Sequence, residues 1–579
     1  MYILTVRSRN GFIVQFVILL ALWLITLMLF TACSDAEEEA PAPTDTSVPP
    51  TATAIPPTAT PVPTVSKVTP SVETSTQASG MDYWPSDGWK SSTPEEQGMD
   101  SETLAKLFDH IRENELGIHS VTIIRNGYVV ADGVFYPFEE DAKHNVKSVT
   151  KSVTSALIGI AIEQGIIDGV DQPALSFFPD RTVANVDANK EAMTLEHVLM
   201  MATGLECRDS QQYRWSGAYE MMESDDWVQY VLDLPMLEQP GTRFEYCNGA
   251  SLVLSAIIQE ATGMTAAEFA DVHLFTPLGI DDVIWPANPQ RITLGFGEMR
   301  IQPHDMAKIG YLYLQDGQWD GMQILPPSWA AVSTSGHILT AADDYGYHWW
   351  VDPDGSYYGG GYAGQFIFVV PEIELVAVFT GNSNEEDVRV PGILMDIFVV
   401  PAAKSPDALP PNPDGVALLE TSIQAAALPP TGPEPVAPLP EMAQRVSGKT
   451  YLLDTPNPSG YTSISFTFDE GAEALMRAGY ISLEAITAGE VDPEPIQIEV
   501  PLGLDNMYRF TPGDFGMPMG AKGEWEAEDV FLVYLDAIGN VGLQRTRITF
   551  EGKEISVELW DDLQNPASRT PSFGGRLAE

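Results

Sequence analysis

His144-Asn145-Val146-Lys147-Ser148-Val149-Thr150-Lys151 opens the segment that decides the fold, and Ala156-Leu157-Ile158-Gly159-Ile160-Ala161-Ile162 carries it on to Gly165. The run is apolar on most sides, which predicts a buried helix. Gly165 is the expected C-terminal cap. Ser148 and Lys151 stand three residues apart at the helix start and so share one face. A serine hydroxyl is a poor nucleophile until a base removes its proton. A neutral lysine is such a base. Burial disfavours the ammonium, and so does the positive end of the helix dipole. The helix end also points backbone N–H groups toward an oxyanion formed near Ser148.

Upstream, residues 101–115 read as a helix. Residues 121–124 and 128–130 flank Asn126-Gly127, a hairpin signal. Downstream, Phe244-Glu245-Tyr246-Cys247-Asn248-Gly249 precedes a second apolar helix, residues 252–262, that ends at Gly263.

Ser148, Lys151 and the Tyr246-Cys247-Asn248 triplet about a hundred residues later resemble the first two motifs of the class C β-lactamase and D,D-peptidase superfamily of serine hydrolases. Thr194-Leu195-Glu196-His197 through Thr203-Gly204-Leu205, Pro240-Gly241-Thr242-Arg243-Phe244 and Leu274-Phe275-Thr276-Pro277-Leu278-Gly279-Ile280 match in order. So do Gln302-Pro303-His304-Asp305-Met306-Ala307-Lys308-Ile309-Gly310 and Tyr345-Gly346-Tyr347-His348-Trp349-Trp350. The stretch from Ser148 to Ser155 and the Trp pair look most like the 6-aminohexanoate-dimer (nylon-oligomer) hydrolase branch. The resemblance covers about residues 90 to 400.

It implies an α/β (α+β) fold of the β-lactamase/transpeptidase type, an antiparallel sheet flanked by helices plus a helical subdomain. It implies Ser148 as nucleophile, Lys151 as base and Tyr246 as the proton relay to the leaving group. The oxyanion hole would be the backbone N–H groups of Ser148 and Tyr362. Asn248, Gly361 and Tyr345 would belong to the substrate pocket, Asn248 holding Lys151 or a substrate amide. The loop at residues 208–227 and the aromatics Tyr345, Tyr347 and Trp349 would shape that pocket. No metal or organic cofactor is needed.

The third motif departs from the family pattern. Tyr357-Tyr358-Gly359-Gly360-Gly361-Tyr362-Ala363-Gly364-Gln365 precedes the apolar strand 366–370, and Gly359 falls where the superfamily carries a cationic or histidine side chain. A group that helps bind a substrate carboxylate is lost, which favours a short-chain amidase or esterase over a β-lactamase or D,D-peptidase. The glycines also read as a bulged edge strand.

The chain has 579 residues and a net charge of −51, with 30 Lys+Arg against 81 Asp+Glu. That charge argues against binding a phosphate backbone. Three cysteines exclude a disulfide scaffold. Cys207 and Cys247 fall in segments that the resemblance places at one cleft, as disulfide partners or as two separate buried thiols. The eight histidines are scattered. His197, His304 and His348 read as structural, and no metal-ligand cluster is found.

Residues 1–33 read as a lipoprotein-type signal sequence. Arg7 and Arg9 precede an apolar run from residue 11 to residue 30, and Phe30-Thr31-Ala32-Cys33 resembles a lipobox with Cys33 as the lipidated residue. An uncleaved anchor is the alternative. Residues 34–80 read as a disordered tether, since residues 41–80 hold nine Pro and ten Thr. The expected location is extracytoplasmic and membrane-anchored at the cell surface.

Residues 81–400 form the predicted hydrolase domain. Residues 401–440, with eleven Pro, read as a Pro-rich linker containing a short helix near residues 416–427. Residues 441–579 read as a small antiparallel β accessory domain, stabilised by Trp525 and Trp560. Strands are expected at 462–468, 496–500 and 530–535, and at 546–550 and 554–559 around Gly552-Lys553. The domain reads as a cover over the cleft, a wall binder or a stabilising partner.

The expected function is an exported serine hydrolase cleaving amide or ester bonds through an acyl-enzyme on Ser148. The alternatives are a β-lactamase or D,D-peptidase of the same fold, or a non-catalytic cell-surface binding lipoprotein. The expected partners are a small amide, ester or peptide-like substrate and the membrane, with no nucleic acid.

Overall fold

The computed structural model describes residues 83–578, apart from 141, 210–212, 214, 342, 384–388, 458, 483, 486–492 and 562–571. The expected signal sequence, Cys33 and the expected tether lie outside the described residues. Among the described residues no helix is long and apolar enough to cross a membrane.

Helix α1, Ser101–Glu113, begins where the Asp100 side chain accepts from the Glu102 and Thr103 N–H groups. An Asx cap of this kind satisfies donors that the first turn cannot. Strands β1, Ile118–Arg125, and β2, Tyr128–Val134, form the hairpin expected at Asn126-Gly127, both of which have positive φ. The short strand β3, His144–Asn145, leads into helix α2, Val149–Glu163, whose residues are buried from Val149 to Ala161. Gly165 follows at φ +67°, as a helix stop requires. Helix α3, Asn248–Thr262, ends likewise at Gly263, φ +72°.

Strand β4, Arg300–Ile301, pairs with β3 and runs into helix α4, Pro303–Leu314. The remaining strands of the main sheet are β5, Ile338–Leu339; β6, Asp344–Tyr345; β7, Trp350–Val351; β8, Tyr357–Gly361; β9, Gln365–Val370; and β10, Leu375–Gly381. Eight strands lie in the order β2-β1-β10-β9-β8-β7-β6-β5, each antiparallel to its neighbours.

Both faces of this sheet are covered, and the alternation of one strand shows it. Ile367 and Val369 join the core under α2, α3 and α4, while Phe366 and Phe368 join the core under α1. On β10, Val376 and Val378 face the first core, and Leu375, Ala377 and Phe379 face the second. A strand buried on both sides reads as an unbroken apolar run rather than an alternating one.

Two expectations are corrected. The glycines of β8 do not form an edge strand. β8 lies between β7 and β9 and pairs with β9 from Tyr357 to Gly361 without a shift in register. The Pro-rich segment is in part a docked element. Helix α5, Pro413–Ala426, buries Leu419 and Ala426 in the core that holds Leu104 and Phe108 of α1.

The C-terminal domain is a ten-stranded antiparallel sheet running from Thr450 to Leu577. A parallel pairing between Gly503 and Lys522 joins Ile496–Gly503 to Pro518–Ala527 and closes the sheet into a barrel-like shape. Phe466, Phe531, Phe550 and Val557 fill it. Trp525 packs against Phe468 and Phe531, whereas Trp560 lies outside that core beneath the Arg547 guanidinium. Helix Glu441–Val446 contributes Ala443 and Val446 to the same core.

Candidate active site

The site forms where the start of α2 meets the start of α3 and the end of β8. Ser148 is the N-cap residue of α2, and Lys147 before it has φ +49°. Left-handed backbone is costly for a residue with a side chain. It turns the chain so that Ser148 opens both the helix and the cleft.

Lys151, one turn along α2, is 1% exposed. Its Nζ lies 3.1 Å from Ser148 Oγ, 2.8 Å from Asn248 Oδ1 and 2.7 Å from the Phe296 carbonyl oxygen. Burial pushes its pKa down from 10.5 to about 7, the nearby Asp209 carboxylate opposing the shift. Near neutrality a large fraction of Lys151 is therefore uncharged.

Tyr246 donates its hydroxyl to Ser148 Oγ at 2.8 Å. Burial raises the phenol well above its usual range, so Tyr246 stays protonated. Lys151 Nζ lies 4.8 Å from the centre of the Tyr246 ring. Lys151 and Tyr246 thus meet at the Ser148 hydroxyl, and Asn248 holds Lys151.

Gly361 closes the site from the sheet side. A Cβ there would come within 2.4 Å of the Val146 carbonyl oxygen and 3.1 Å of the Ser148 nitrogen. Only glycine lets β8 approach the start of α2 this closely. Tyr362, next in the chain, lines the cleft with Ser148 and Gly361. At Gly359 a Cβ would meet Ser152 Oγ at 3.0 Å and the Trp349 ring at 3.6 Å. Those side chains fill the space a cationic residue would need.

Tyr345 does not line the cleft. Its ring is buried, packing edge-on against Phe244 and Trp350, and it is these two that face the cleft. Tyr347 and Trp349 are buried too. The apolar character of all three belongs to the core. His348 is structural, as expected: burial lowers its pKa to about 3, and Nε2 lies 3.0 Å from Ser251 Oγ. His197 completes a capping box with Thr194. His304 pairs with Asp132 at 2.8 Å.

Asp209 was not singled out by its sequence pattern. It is 2% exposed and accepts from the Asn248 N–H at 2.7 Å. Burial raises its carboxyl to about 6, against the lowering pull of the Asn248 N–H and Lys151. Cys207 and Cys247 are disulfide-bonded, with Cα atoms 5.6 Å apart. The bond joins the residue two before Asp209 to the residue one before Asn248. Had the pairing been known, Asp209 would have been the predicted neighbour of Asn248. The Phe296 carbonyl carried no signal, because a backbone acceptor has no residue identity.

The cleft encloses about 2040 Å³. Among the described residues, those that line it lie between Lys147 and Val400, and none belongs to the C-terminal barrel.

Scaffold and donor set together define a β-lactamase-fold serine hydrolase. A family model described as beta-lactamase matches residues 104–398, about half of the chain, and the chain belongs to that family. It is 22% identical to 6-aminohexanoate-dimer hydrolase of Paenarthrobacter ureafaciens over 336 residues, 53% of this chain and 84% of that enzyme. It is 23% identical to Esterase EstB of Burkholderia gladioli over 251 residues, 39% of this chain and 64% of the esterase. Among solved structures, EstCE1, a hydrolase with promiscuous acyltransferase activity, matches with a TM-score of 0.46 at 18% identity. That match covers 53% of this chain and 99% of the other.

Proposed function

We propose that the protein is an exported serine hydrolase that cleaves amide or ester bonds through an acyl-enzyme on Ser148. The observation that carries the reading is the 3.1 Å contact between Ser148 Oγ and Lys151 Nζ, with Lys151 depressed to about 7.

Neutral Lys151 takes the Ser148 proton as Oγ bonds to the substrate carbonyl carbon. The carbonyl π pair moves to oxygen, and the Ser148 and Tyr362 N–H groups hold the oxyanion. When the tetrahedral species collapses, the bond to the leaving nitrogen or oxygen breaks. Tyr246 gives its proton to that atom and is reprotonated from the Lys151 ammonium. Water then attacks the acyl carbon, losing a proton to Lys151, and Ser148 leaves as it takes that proton back from the Lys151 ammonium, restoring its hydroxyl and the neutral lysine. Asn248 and Asp209 hold the lysine in place.

Amides and esters are favoured over β-lactams and D-Ala-D-Ala peptides because Gly359 offers no side chain for a substrate carboxylate. The names of the relatives, a 6-aminohexanoate-dimer hydrolase and an esterase, agree with this choice. Export is supported by the signal-like residues 1–33 and by the Cys207–Cys247 bond, since disulfides persist in oxidising compartments. Membrane anchoring through Cys33 predicts lipid labelling that Cys33→Ser abolishes.

The test is intact mass after exposure to a serine-directed fluorophosphonate. One adduct on the wild type, absent from Ser148→Ala, supports the reading. A folded wild type that takes no adduct refutes it.

A further inference from the structure

We infer that the C-terminal barrel positions the catalytic serine: its turn at residues 538–542 holds Asn145, and Asn145 holds the Val146–Lys147 peptide, one before the peptide that bears the Ser148 N–H. The inference rests on the role proposed for Ser148.

Asn145 is 1% exposed, and its backbone N–H and both polar atoms of its side chain are engaged. Its backbone N–H donates to the Gly539 carbonyl at 2.6 Å. Its side-chain amide donates to Asn540 Oδ1 at 3.1 Å and to Glu298 Oε2 at 2.7 Å. Its Oδ1 accepts the Lys147 N–H at 3.2 Å. Two of these four bonds come from the barrel.

Lys147 is the strained link. A lysine at φ +49° persists only where its surroundings over-determine it. Here the amide is held by Asn145, and the ammonium donates to Glu298 Oε1 at 2.8 Å. Glu298 is itself gripped by buried Arg300, which donates to its carbonyl at 2.8 Å. The barrel reaches this residue as well, since the Phe515 ring lies 4.1 Å from the Arg300 guanidinium carbon. The next peptide after Lys147 supplies the Ser148 N–H, one donor of the proposed oxyanion hole.

The turn is shaped for this contact. A Cβ on Gly539 would lie 1.9 Å from the Lys143 carbonyl oxygen, and its φ is +77°. Ile538 packs beside Phe138 and Ala142, and the Gly542 N–H donates to Asn382 Oδ1 at 3.1 Å. A barrel that only added stability would not need to converge its polar contacts on the residue three before the serine. An oxyanion donor displaced by a fraction of an ångström loses charge stabilisation in the transition state while leaving ground-state binding intact.

The test uses the full-length protein with Asn540→Ala, Gly539→Val and, as a remote control on another turn of the barrel, Lys553→Ala. Thermal melts establish that each variant is folded at the assay temperature. Asn540→Ala should lower kcat by about three- to tenfold, the worth of one hydrogen bond, with KM unchanged. Its rate of fluorophosphonate acylation should fall by the same factor. Gly539→Val should lose more, because the turn must move away, and Lys553→Ala should match the wild type. Wild-type kcat and acylation rate in both Asn540→Ala and Gly539→Val would overturn the inference, as would losses that the unfolded fraction accounts for. If the wild type itself forms no adduct, the role of Ser148 fails, and this inference goes with it.

Discussion

Lys151 Nζ faces three oxygens, Ser148 Oγ at 3.1 Å, Asn248 Oδ1 at 2.8 Å and the Phe296 carbonyl at 2.7 Å. A neutral amine has two hydrogens and one lone pair. Asn248 Oδ1 and the Phe296 oxygen are the shorter contacts, and both are strong acceptors, so they take the hydrogens. The lone pair is left for Ser148. Protonation puts a third hydrogen there and removes the base. Accordingly kcat/KM on an uncharged ester should fall tenfold per pH unit below about pH 7. An acid limb near pH 4, or none, would refute Lys151 as the base. Stability follows the same group. The folded pKa lies below the unfolded one, so the unfolded chain binds more protons between about 7 and 10.5, and the Lys151 contribution to stability rises with pH across that window.

Asp209 sets where that limb falls. Its carboxylate favours the Lys151 ammonium. Asp209→Asn keeps an oxygen for the Asn248 N–H but removes the charge. The lysine then ionises at lower pH, and the acid limb of kcat/KM should move down from its wild-type position. A limb that stays in place, or moves up, would show that Asp209 does not act on Lys151.

The sequence was most legible where one periodicity governed a whole element. Helix α2 and its end at Gly165 follow from an apolar run and one capping glycine. The Ser148–Lys151 pair follows from helical spacing, and Tyr246 from the family resemblance. Legibility failed where the meaning of a residue depends on what lies opposite. Gly359, Gly360 and Gly361 read as an edge because glycine is rare inside sheets, yet Gly361 is needed for approach to Val146 and Ser148. Tyr345 read as a pocket residue because aromatics suit both pockets and cores. Helix α5 was expected in its Pro-rich stretch, but its docking was not, since composition does not reveal that Leu419 has a partner surface on α1. The barrel turn at 538–542 carried no motif, and its role depends on bonds to a residue some 395 positions away.

The Cys207–Cys247 bond should be a main support of the α2–α3 end of the cleft. It closes a loop with a sequence separation of 40 residues. Loop-closure entropy for that length is about 4 kcal/mol. Cys207→Ser with Cys247→Ser should therefore lower stability by roughly that amount in chemical denaturation. Activity should fall too, because Asp209 and Asn248 sit beside the two sulfurs. An unchanged denaturation midpoint would show that packing alone holds the loop.

Tyr246→Phe separates proton relay from attack. The phenol is neutral because burial raises its pKa, so it has a proton to give, and its hydroxyl donates to Ser148 Oγ at 2.8 Å. An amine leaving group must receive a proton before it departs, whereas a p-nitrophenolate leaves without one. Removing the hydroxyl should thus cost amide hydrolysis about 10²–10⁴-fold, the usual worth of a positioned acid. Cleavage of a p-nitrophenyl ester should lose far less, because Lys151 and the oxyanion donors remain. The comparison is between kcat/KM values for an amide and a p-nitrophenyl ester with the same acyl group, in wild type and variant. Equal losses on both substrates would mean that Tyr246 acts on Ser148 during attack rather than on the leaving group.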